Sequence, residues 1–184
     1  MEELRIIISG GGTGGHINPA LAIASIIKQH HPDAEFLFAG TPNGMEATLI
    51  PKAGYNFAPI KVSGFQRKIN PENIIRNVKA ASYLAMSGSR AKKIISDFKP
   101  DIVIGTGGYV SGPVLRKAAQ MGIPVIIHEQ NAFPGITTKM LAHKAEYVML
   151  AVEQAKKFFD DKCKVVITGN PVRKEVISAT QKEA

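Results

Sequence analysis

The sequence predicts an α/β fold built on a doubly wound parallel sheet of about seven strands. Short β-branched runs alternate with longer helical stretches along the 184 residues. Three of the runs, Ile6 to Ile8, Ile102 to Ile104 and Val125 to Ile127, are entirely apolar. A parallel sheet that is covered by helices on both faces requires strands of this kind.

Each element follows from a local pattern along the chain. The predicted strands are the apolar runs bounded by Gly, Pro, Asn or charged residues, at 4–9, 35–39, 57–62, 101–105, 124–128, 146–150 and 164–168. The predicted helices are the stretches between them, at 19–30, 45–53, 72–98, 112–121, 136–143 and 153–159. We expect one domain over residues 1–173, and the polar residues 174–184 are expected to be a linker or a truncated tail.

Composition excludes several classes of protein. Hydrophobic residues make up 45% of the chain, which is too many for a disordered protein. The single cysteine, Cys163, excludes an internal disulfide and a zinc site of several cysteines. We expect no secretory leader from the first residues, because their first charges are acidic, and no apolar run approaches the ~18 residues of a membrane-spanning helix. We therefore expect a cytoplasmic protein that is soluble or lies on a surface.

The net charge of +8 is concentrated in one segment. Between Lys61 and Lys99 the chain has nine basic residues and two acidic residues. This excess predicts contact with an anionic surface, centred on the patch Arg67, Lys68, Arg76 and Lys79, although a solvated face is the simpler alternative. Nucleic acid is not expected as a partner, because no nucleic-acid-binding signature accompanies the charge.

A glycine-rich loop follows the first predicted strand, with five glycines between Gly10 and Gly15. Glycine lets backbone amides approach an anion closely, and a helix begins after the loop, so we expect a diphosphate to bind here. The loop matches the dinucleotide-binding pattern only formally, since no acidic residue follows the second strand to hold a ribose. A phosphate-binding Walker loop is excluded because Gly-Lys-Ser/Thr is missing.

Histidines supply the candidate acid–base chemistry. His16 comes directly after the glycine loop and is a candidate general base, although it could instead be a structural residue of the helix start. His128 and Glu129 end a strand, where they could bind sugar hydroxyls or form a structural pair. The remaining histidines are expected on the surface: His30, His31 and His143. We expect neither a metal nor a cofactor.

Five motifs in order resemble the MurG family, the peripheral membrane glycosyltransferases of bacterial peptidoglycan synthesis. The motifs are Gly11-Gly12-Thr13-Gly14-Gly15-His16 with Pro19-Ala20, Gly44-Met45-Glu46 with Leu49 to Gly54, Gly107 to Pro113, His128-Glu129-Gln130-Asn131, and Gly169-Asn170-Pro171-Val172-Arg173. The resemblance extends from about Ile6 to Arg173. It implies two Rossmann-like domains in the GT-B arrangement, of which this chain is the amino-terminal one and the carboxy-terminal donor domain is absent.

The resemblance also implies a reaction: transfer of N-acetylglucosamine from UDP-N-acetylglucosamine to lipid I, which gives lipid II with inversion. The implied location is the cytoplasmic face of the bacterial cell membrane, where the chain would contact an anionic lipid surface. His16 would be the base. The implied donor-binding residues are Thr13, Gly14, Gly15, Asn131 and Arg173. The implied acceptor-binding residues are Tyr109, Ser111, His128 and Glu129.

Two departures leave alternatives open. Thr138 stands where the family usually has asparagine, and the expected second domain is missing. One alternative is a membrane-anchoring subunit that is not itself an enzyme and recruits a separate donor-binding chain. A second is half of a nucleotide-sugar epimerase, and a third is a nicotinamide-dependent dehydrogenase, which the missing acidic residue disfavours.

Overall fold

The fold was analysed in a computed structural model, which describes residues 3–62 and 71–172. Within these residues the chain forms one parallel sheet of seven strands in the order β3-β2-β1-β4-β5-β6-β7. The strands are β1 Arg5–Gly10, β2 Glu35–Gly40, β3 Asn56–Pro59, β4 Ile102–Gly107, β5 Val125–Glu129, β6 Tyr147–Leu150 and β7 Val165–Ile167. The predicted sheet is therefore confirmed.

Helices connect the strands as predicted, with three differences in detail. The α-helices are α1 Gly14–His30, α2 Glu46–Lys52, α3 Pro71–Phe98, α4 Ser111–Gln120 and α5 Ile136–Leu141. The predicted last helix is a 3₁₀ segment, Glu153–Phe158, and a second 3₁₀ segment, Ala142–Lys144, continues α5. The other difference lies at the start of α1.

Helix α1 begins at Gly14, so the prediction of a start near Pro19 was wrong. Proline is favoured in the first turn, but Pro19 is tolerated inside this helix. Backbone bonds from the amides of His16 and Ile17 to the Thr13 carbonyl, both 3.1 Å, close the true first turn. As a result, the last glycines of the loop and His16 belong to the helix.

The alternating side chains of β1 explain why its centre, Ile6 to Ile8, is apolar at three successive positions. Ile6 and Ile8 pack with Ile17 of α1 in one buried cluster. Ile7 points to the other face, where it packs with Ile95 of α3 and neighbours from α4. Helices thus cover both faces of the sheet.

The strand order reverses direction between β1 and β4, because β2 and β3 extend to one side and β5 to β7 to the other. In open parallel sheets, ligands bind beyond the carboxyl ends of the strands at such a switch point. Here the two neighbouring strands end in the two glycine-rich segments. No helix in residues 3–62 and 71–172 is both long and apolar enough to cross a bilayer.

Candidate functional site

Two glycine-rich loops meet at the switch point. The Gly11 amide donates to the Gly107 carbonyl oxygen across 3.3 Å. Gly107 and Gly108 have φ values of 107° and 85°, which favour glycine. A Cβ on Gly108 would also collide with the carbonyl oxygen of Gly11. The loops can approach this closely only because residue 108 has no side chain.

The first turn of α1 presents backbone amides beside these loops. Thr13 is the N-cap residue in an extended conformation, with φ −146° and ψ 157°. The amides of Gly14 and Gly15 have no acceptor within the helix, because the backbone bonds of the first turn begin at the His16 amide. Thr13 and Gly15 are exposed and Gly14 is half-buried. The arrangement favours a bound anion such as a diphosphate.

His16 is held over the end of β4. Its Nδ1 lies 2.9 Å from the Thr106 carbonyl oxygen and 3.2 Å from Gln130 Oε1. Because a carbonyl oxygen only accepts hydrogen bonds, Nδ1 carries a proton, and in the neutral ring Nε2 then keeps its lone pair. A Cβ on Gly107 would lie 2.5 Å from this ring, so Gly107 makes room for it. The half-buried imidazole is thus in the tautomer that a general base at Nε2 requires.

His128 is buried at the end of β5, with 3% of its surface exposed. Its Nε2 lies 3.1 Å from the Gly169 carbonyl oxygen, and its Nδ1 accepts from Gln130 Nε2 across 3.0 Å. Burial lowers the pKa of His128 below 6.5, although the Gly169 carbonyl and the charge of Glu129 oppose this shift. His128 is therefore a neutral member of a hydrogen-bonded network.

Glu129 organises the loop that follows β5. Its Oε1 accepts from the backbone amide and side-chain Nδ2 of Asn131, at 3.1 and 2.9 Å. Its Oε2 accepts from the Gly135 amide at 3.0 Å and from the Thr138 hydroxyl at 2.7 Å. Burial acts to raise the pKa of Glu129, but these four bonds outweigh it and lower the pKa. Thr138, the departure from the family pattern, thus has a definite role as a donor to Glu129.

Glu46 organises the glycine loop after β1, as Glu129 organises the loop after β5. The sequence alone indicated no role for Glu46 in the site. This fully buried carboxylate accepts from the Gly12 amide at 3.0 Å and from the Thr41 amide and hydroxyl at 2.9 and 2.6 Å. Burial acts to raise the pKa of Glu46, and the hydrogen bonds outweigh it and lower the pKa. Glu46 therefore ties the loop after β2 to the loop after β1.

The predicted acceptor-binding residues differ in exposure. Tyr109 is 67% exposed on the loop after β4. Ser111 is buried, and its hydroxyl donates to the Gly108 carbonyl across 2.8 Å. Of the predicted donor-binding residues, Asn131 lies exposed at the rim. His16, His128 and Asn131 are brought to the same end of the sheet.

Several predicted residues lie outside the part of the chain that the structure describes. Arg173 and the tail 174–184 are among them, as are Arg67 and Lys68. Arg76 and Lys79 fall on α3, but their side chains are not described. The membrane patch therefore stays a prediction.

The surface histidines are placed as predicted, since His30, His31 and His143 are all exposed. His143 forms a cluster with Asp160 and Cys163, whose possible ligand atoms lie within 4.8 Å of one another. His143 Nδ1 faces Cys163 Sγ at 3.6 Å, whereas its Nε2 faces Asp160 at 3.5 Å. Burial and the nearby Asp160 raise the pKa of the Cys163 thiol, which favours the protonated form. Opposite ring nitrogens facing the two partners suit hydrogen bonding better than a shared ion.

Comparisons with known proteins place the chain in a family. Residues 6–150 match the glycosyltransferase family 28 N-terminal domain. The chain belongs to this family. It is 50% identical over 181 residues to the UDP-N-acetylglucosamine--N-acetylmuramyl-(pentapeptide) pyrophosphoryl-undecaprenol N-acetylglucosamine transferase of Acetivibrio thermocellus, a match that covers 98% of this chain and 48% of the relative.

Solved structures agree with this family 28 assignment. The crystal structure of Acinetobacter baumannii MurG matches with a TM-score of 0.74 and 33% identity, over 91% of this chain and 46% of that one. The predicted resemblance to MurG is thus confirmed. A UDP-GlcNAc 2-epimerase from Neisseria meningitidis matches with a TM-score of 0.65 at 16% identity, over 97% of this chain and 50% of that one, which shows a shared fold alone. The chain spans about half the length of the curated relatives it matches.

The stability of this family 28 domain is expected to fall as the pH falls, because three of its buried side chains have lowered pKa values in the fold. The unfolded chain binds protons more readily than the folded one wherever folding lowers a pKa. Acidification should therefore lower the free energy of unfolding in two steps. The first begins below pH 6.5, the ordinary pKa of histidine, because the pKa of His128 is lowered in the fold. The second begins below pH 4.5, the ordinary pKa of glutamate, because the pKa values of Glu46 and Glu129 are lowered. Urea unfolding at several pH values measures both steps.

Two variants assign the acid step. Glu129→Gln should flatten the loss of stability below 4.5, because one of the two carboxyls with a lowered pKa is gone. Glu153→Gln, an exposed position, should leave the pH profile unchanged. A free energy of unfolding that stays constant through both steps would contradict the prediction.

Proposed function

We propose that this chain is the acceptor-side half of an inverting glycosyltransferase. It would act in the transfer of N-acetylglucosamine from UDP-N-acetylglucosamine to lipid I, giving lipid II. The observation that carries the proposal is the orientation of the His16 imidazole. Its Nδ1 is hydrogen-bonded to the Thr106 carbonyl, so Nε2 would be available as a base beside the first-turn amides of α1. The Acetivibrio thermocellus relative is named for a transfer of this kind.

The chemistry would be a single displacement. His16 Nε2 takes the proton of the acceptor 4-hydroxyl as its oxygen attacks the anomeric carbon of the donor sugar. The bond from that carbon to the diphosphate breaks on the opposite side, so UDP leaves with the electron pair and the configuration inverts. The amides of Gly14 and Gly15, together with Arg173, would stabilise the charge on the leaving diphosphate.

The remaining residues would divide between contact and positioning. We assign acceptor contact to Tyr109, which is exposed, and donor contact to Asn131 and Thr13 at the rim. Ser111, His128 and Glu129 are buried and hydrogen-bonded within the chain. They would therefore shape the acceptor side by holding its loops.

A lipid-linked acceptor requires the domain to lie at a membrane, and we propose the cytoplasmic face of the cell membrane. The basic segment 61–99 would contact anionic headgroups. A second feature supports this proposal: Phe133, Ile136 and Met140 are 75%, 72% and 70% exposed near the site. Lys139 lies over the neighbouring Phe158 ring at 4.4 Å, so cations accompany this apolar surface.

We further propose that residues 1–173 form the acceptor domain and that a separate donor domain completes the enzyme. Transferases of this type close two domains over the donor, so one half cannot position it. The chain alone is therefore expected to show no measurable transfer. Joining it to the C-terminal half of the Acetivibrio thermocellus relative should restore transfer to a lipid I analogue.

The assay compares the chain alone, the joined two-domain protein, and the two halves mixed. Release of UDP and formation of the disaccharide are both measured. Transfer by the chain alone at the rate of the two-domain protein would contradict the division of labour. Conversion of UDP-N-acetylglucosamine to an epimer without acceptor would instead favour the epimerase alternative.

A further inference from the structure

Gln130 lies between the two histidines of the site. It follows β5 directly and is half-buried. Its Oε1 is 3.2 Å from His16 Nδ1, and its Nε2 is 3.0 Å from His128 Nδ1 and 3.1 Å from the His128 carbonyl oxygen. A glutamine amide has one acceptor oxygen and two donor hydrogens, and these contacts use all three.

Backbone carbonyls fix the position of every proton in this network. Thr106 O faces His16 Nδ1, so that nitrogen donates and the amide atom opposite it must be the Gln130 oxygen. The His128 carbonyl faces the other amide atom, which must then be the nitrogen. His128 Nδ1 therefore accepts, and its Nε2 donates to the Gly169 carbonyl across 3.1 Å. No alternative assignment satisfies all three carbonyls.

We infer that Gln130 is a positioning residue that orients the His16 imidazole and holds its proton on Nδ1. The inference rests on the proposed function of His16 as the base. When Nε2 takes a proton, part of the positive charge appears at Nδ1–H. The oxygens of Gln130 and Thr106 accept hydrogen bonds from this group and so stabilise the charge. A neutral amide thus occupies the place that a carboxylate fills in the Ser-His-Asp triad. His128 in turn fixes the amide.

The first test reads the His16 tautomer in this chain by long-range ¹H–¹⁵N NMR. We expect the proton on Nδ1 in the unmodified chain. Gln130→Met has the same length but makes no hydrogen bond. The Thr106 carbonyl alone then holds the Nδ1 proton, so a fraction of His16 should become protonated on Nε2 instead. Gln130→Glu keeps an acceptor and should retain the Nδ1 proton. Gln154→Met, at an exposed position, is the matched control.

Folding is checked by amide dispersion and the unfolding midpoint. Should Gln130→Met fail to fold, Gln130→Asn replaces it, because asparagine keeps the amide but is one methylene too short to reach both histidines. An unchanged His16 tautomer in a folded Gln130→Met or Gln130→Asn chain would overturn the inference.

The second test measures transfer by the two-domain protein. Loss of the group that orients a metal-bound histidine typically costs about 10–100-fold in activity, and we expect an effect of the same size for a histidine that acts as a base. We expect Gln130→Met to lower kcat by this factor with little change in KM, and Gln130→Glu to recover part of the loss. Where transfer by the two-domain protein depends on His16, a shifted tautomer with an unchanged kcat would also overturn the inference. A failure of the proposed function appears separately, as a two-domain protein whose transfer does not depend on His16, and the NMR readout still decides the positioning.

Discussion

Replacing His16 by alanine in the two-domain protein is expected to lower kcat by about 10²–10⁴-fold, the usual contribution of a positioned general base. KM should change far less, because the imidazole takes the proton mainly in the transition state. The fold should survive, since the bonds that close the first turn of α1 run from backbone amides to the Thr13 carbonyl and do not need the imidazole. The Thr106 hydroxyl likewise bonds to the backbone oxygen of residue 16, which alanine retains.

The competing interpretation makes His16 a structural residue of the helix start. A lost cap costs ~1 kcal/mol of stability, so activity would then fall only with the folded fraction. Measuring the melting temperature and kcat on one sample separates the two interpretations. His30→Ala, an exposed histidine at the other end of α1, is the matched control and should change neither. A normal kcat in a destabilised His16→Ala protein would remove His16 from the mechanism.

The strands were predictable because their signal is local. All seven predicted runs became strands in the described residues, with ends displaced by up to three residues. Burial on both faces favours apolar side chains at successive positions, and this preference is visible in Ile6 to Ile8 of β1 and Ile102 to Ile104 of β4. Helix ends depend instead on how the chain packs. Pro19 suggested a start that the packing of Ile17 and the Thr13 carbonyl moved forward by more than a turn.

The site was predictable as a set of motifs but not as a network. Glycine loops and a following histidine have a direct chemical meaning, so His16 could be proposed as a base from its neighbours. Glu46 and Gln130 could not, because their roles depend on partners 34 and 114 residues away in sequence. Their presence inside the recognisable motifs was the only signal. The sequence suggested that Glu129 could bind sugar hydroxyls, but in the fold its buried oxygens accept four hydrogen bonds from groups of the same chain.

Reversing the four predicted membrane-patch residues to glutamate is expected to lower binding to anionic vesicles by orders of magnitude. Each basic side chain near a lipid surface contributes about 1 kcal/mol, so losing four weakens binding roughly 10³-fold before any repulsion is added. The variant carries Arg67→Glu, Lys68→Glu, Arg76→Glu and Lys79→Glu. Flotation with phosphatidylserine-containing vesicles measures the effect.

Two further comparisons decide whether the position of the charge matters. Each reversal changes the charge by two, so four cancel the net charge of +8 wherever they are made. A control with the exposed Lys28, Lys52, Lys162 and Lys164 reversed has the same net charge and should keep most of its binding. Raising the salt from 0.1 M to 1 M shortens the screening length from ~10 Å to ~3 Å and should release the unmodified chain. An equal loss of vesicle binding in both variants would show that net charge, and not the position of the patch, determines binding. Unchanged flotation of the patch variant would leave the exposed surface of Phe133, Ile136 and Met140 as the contact.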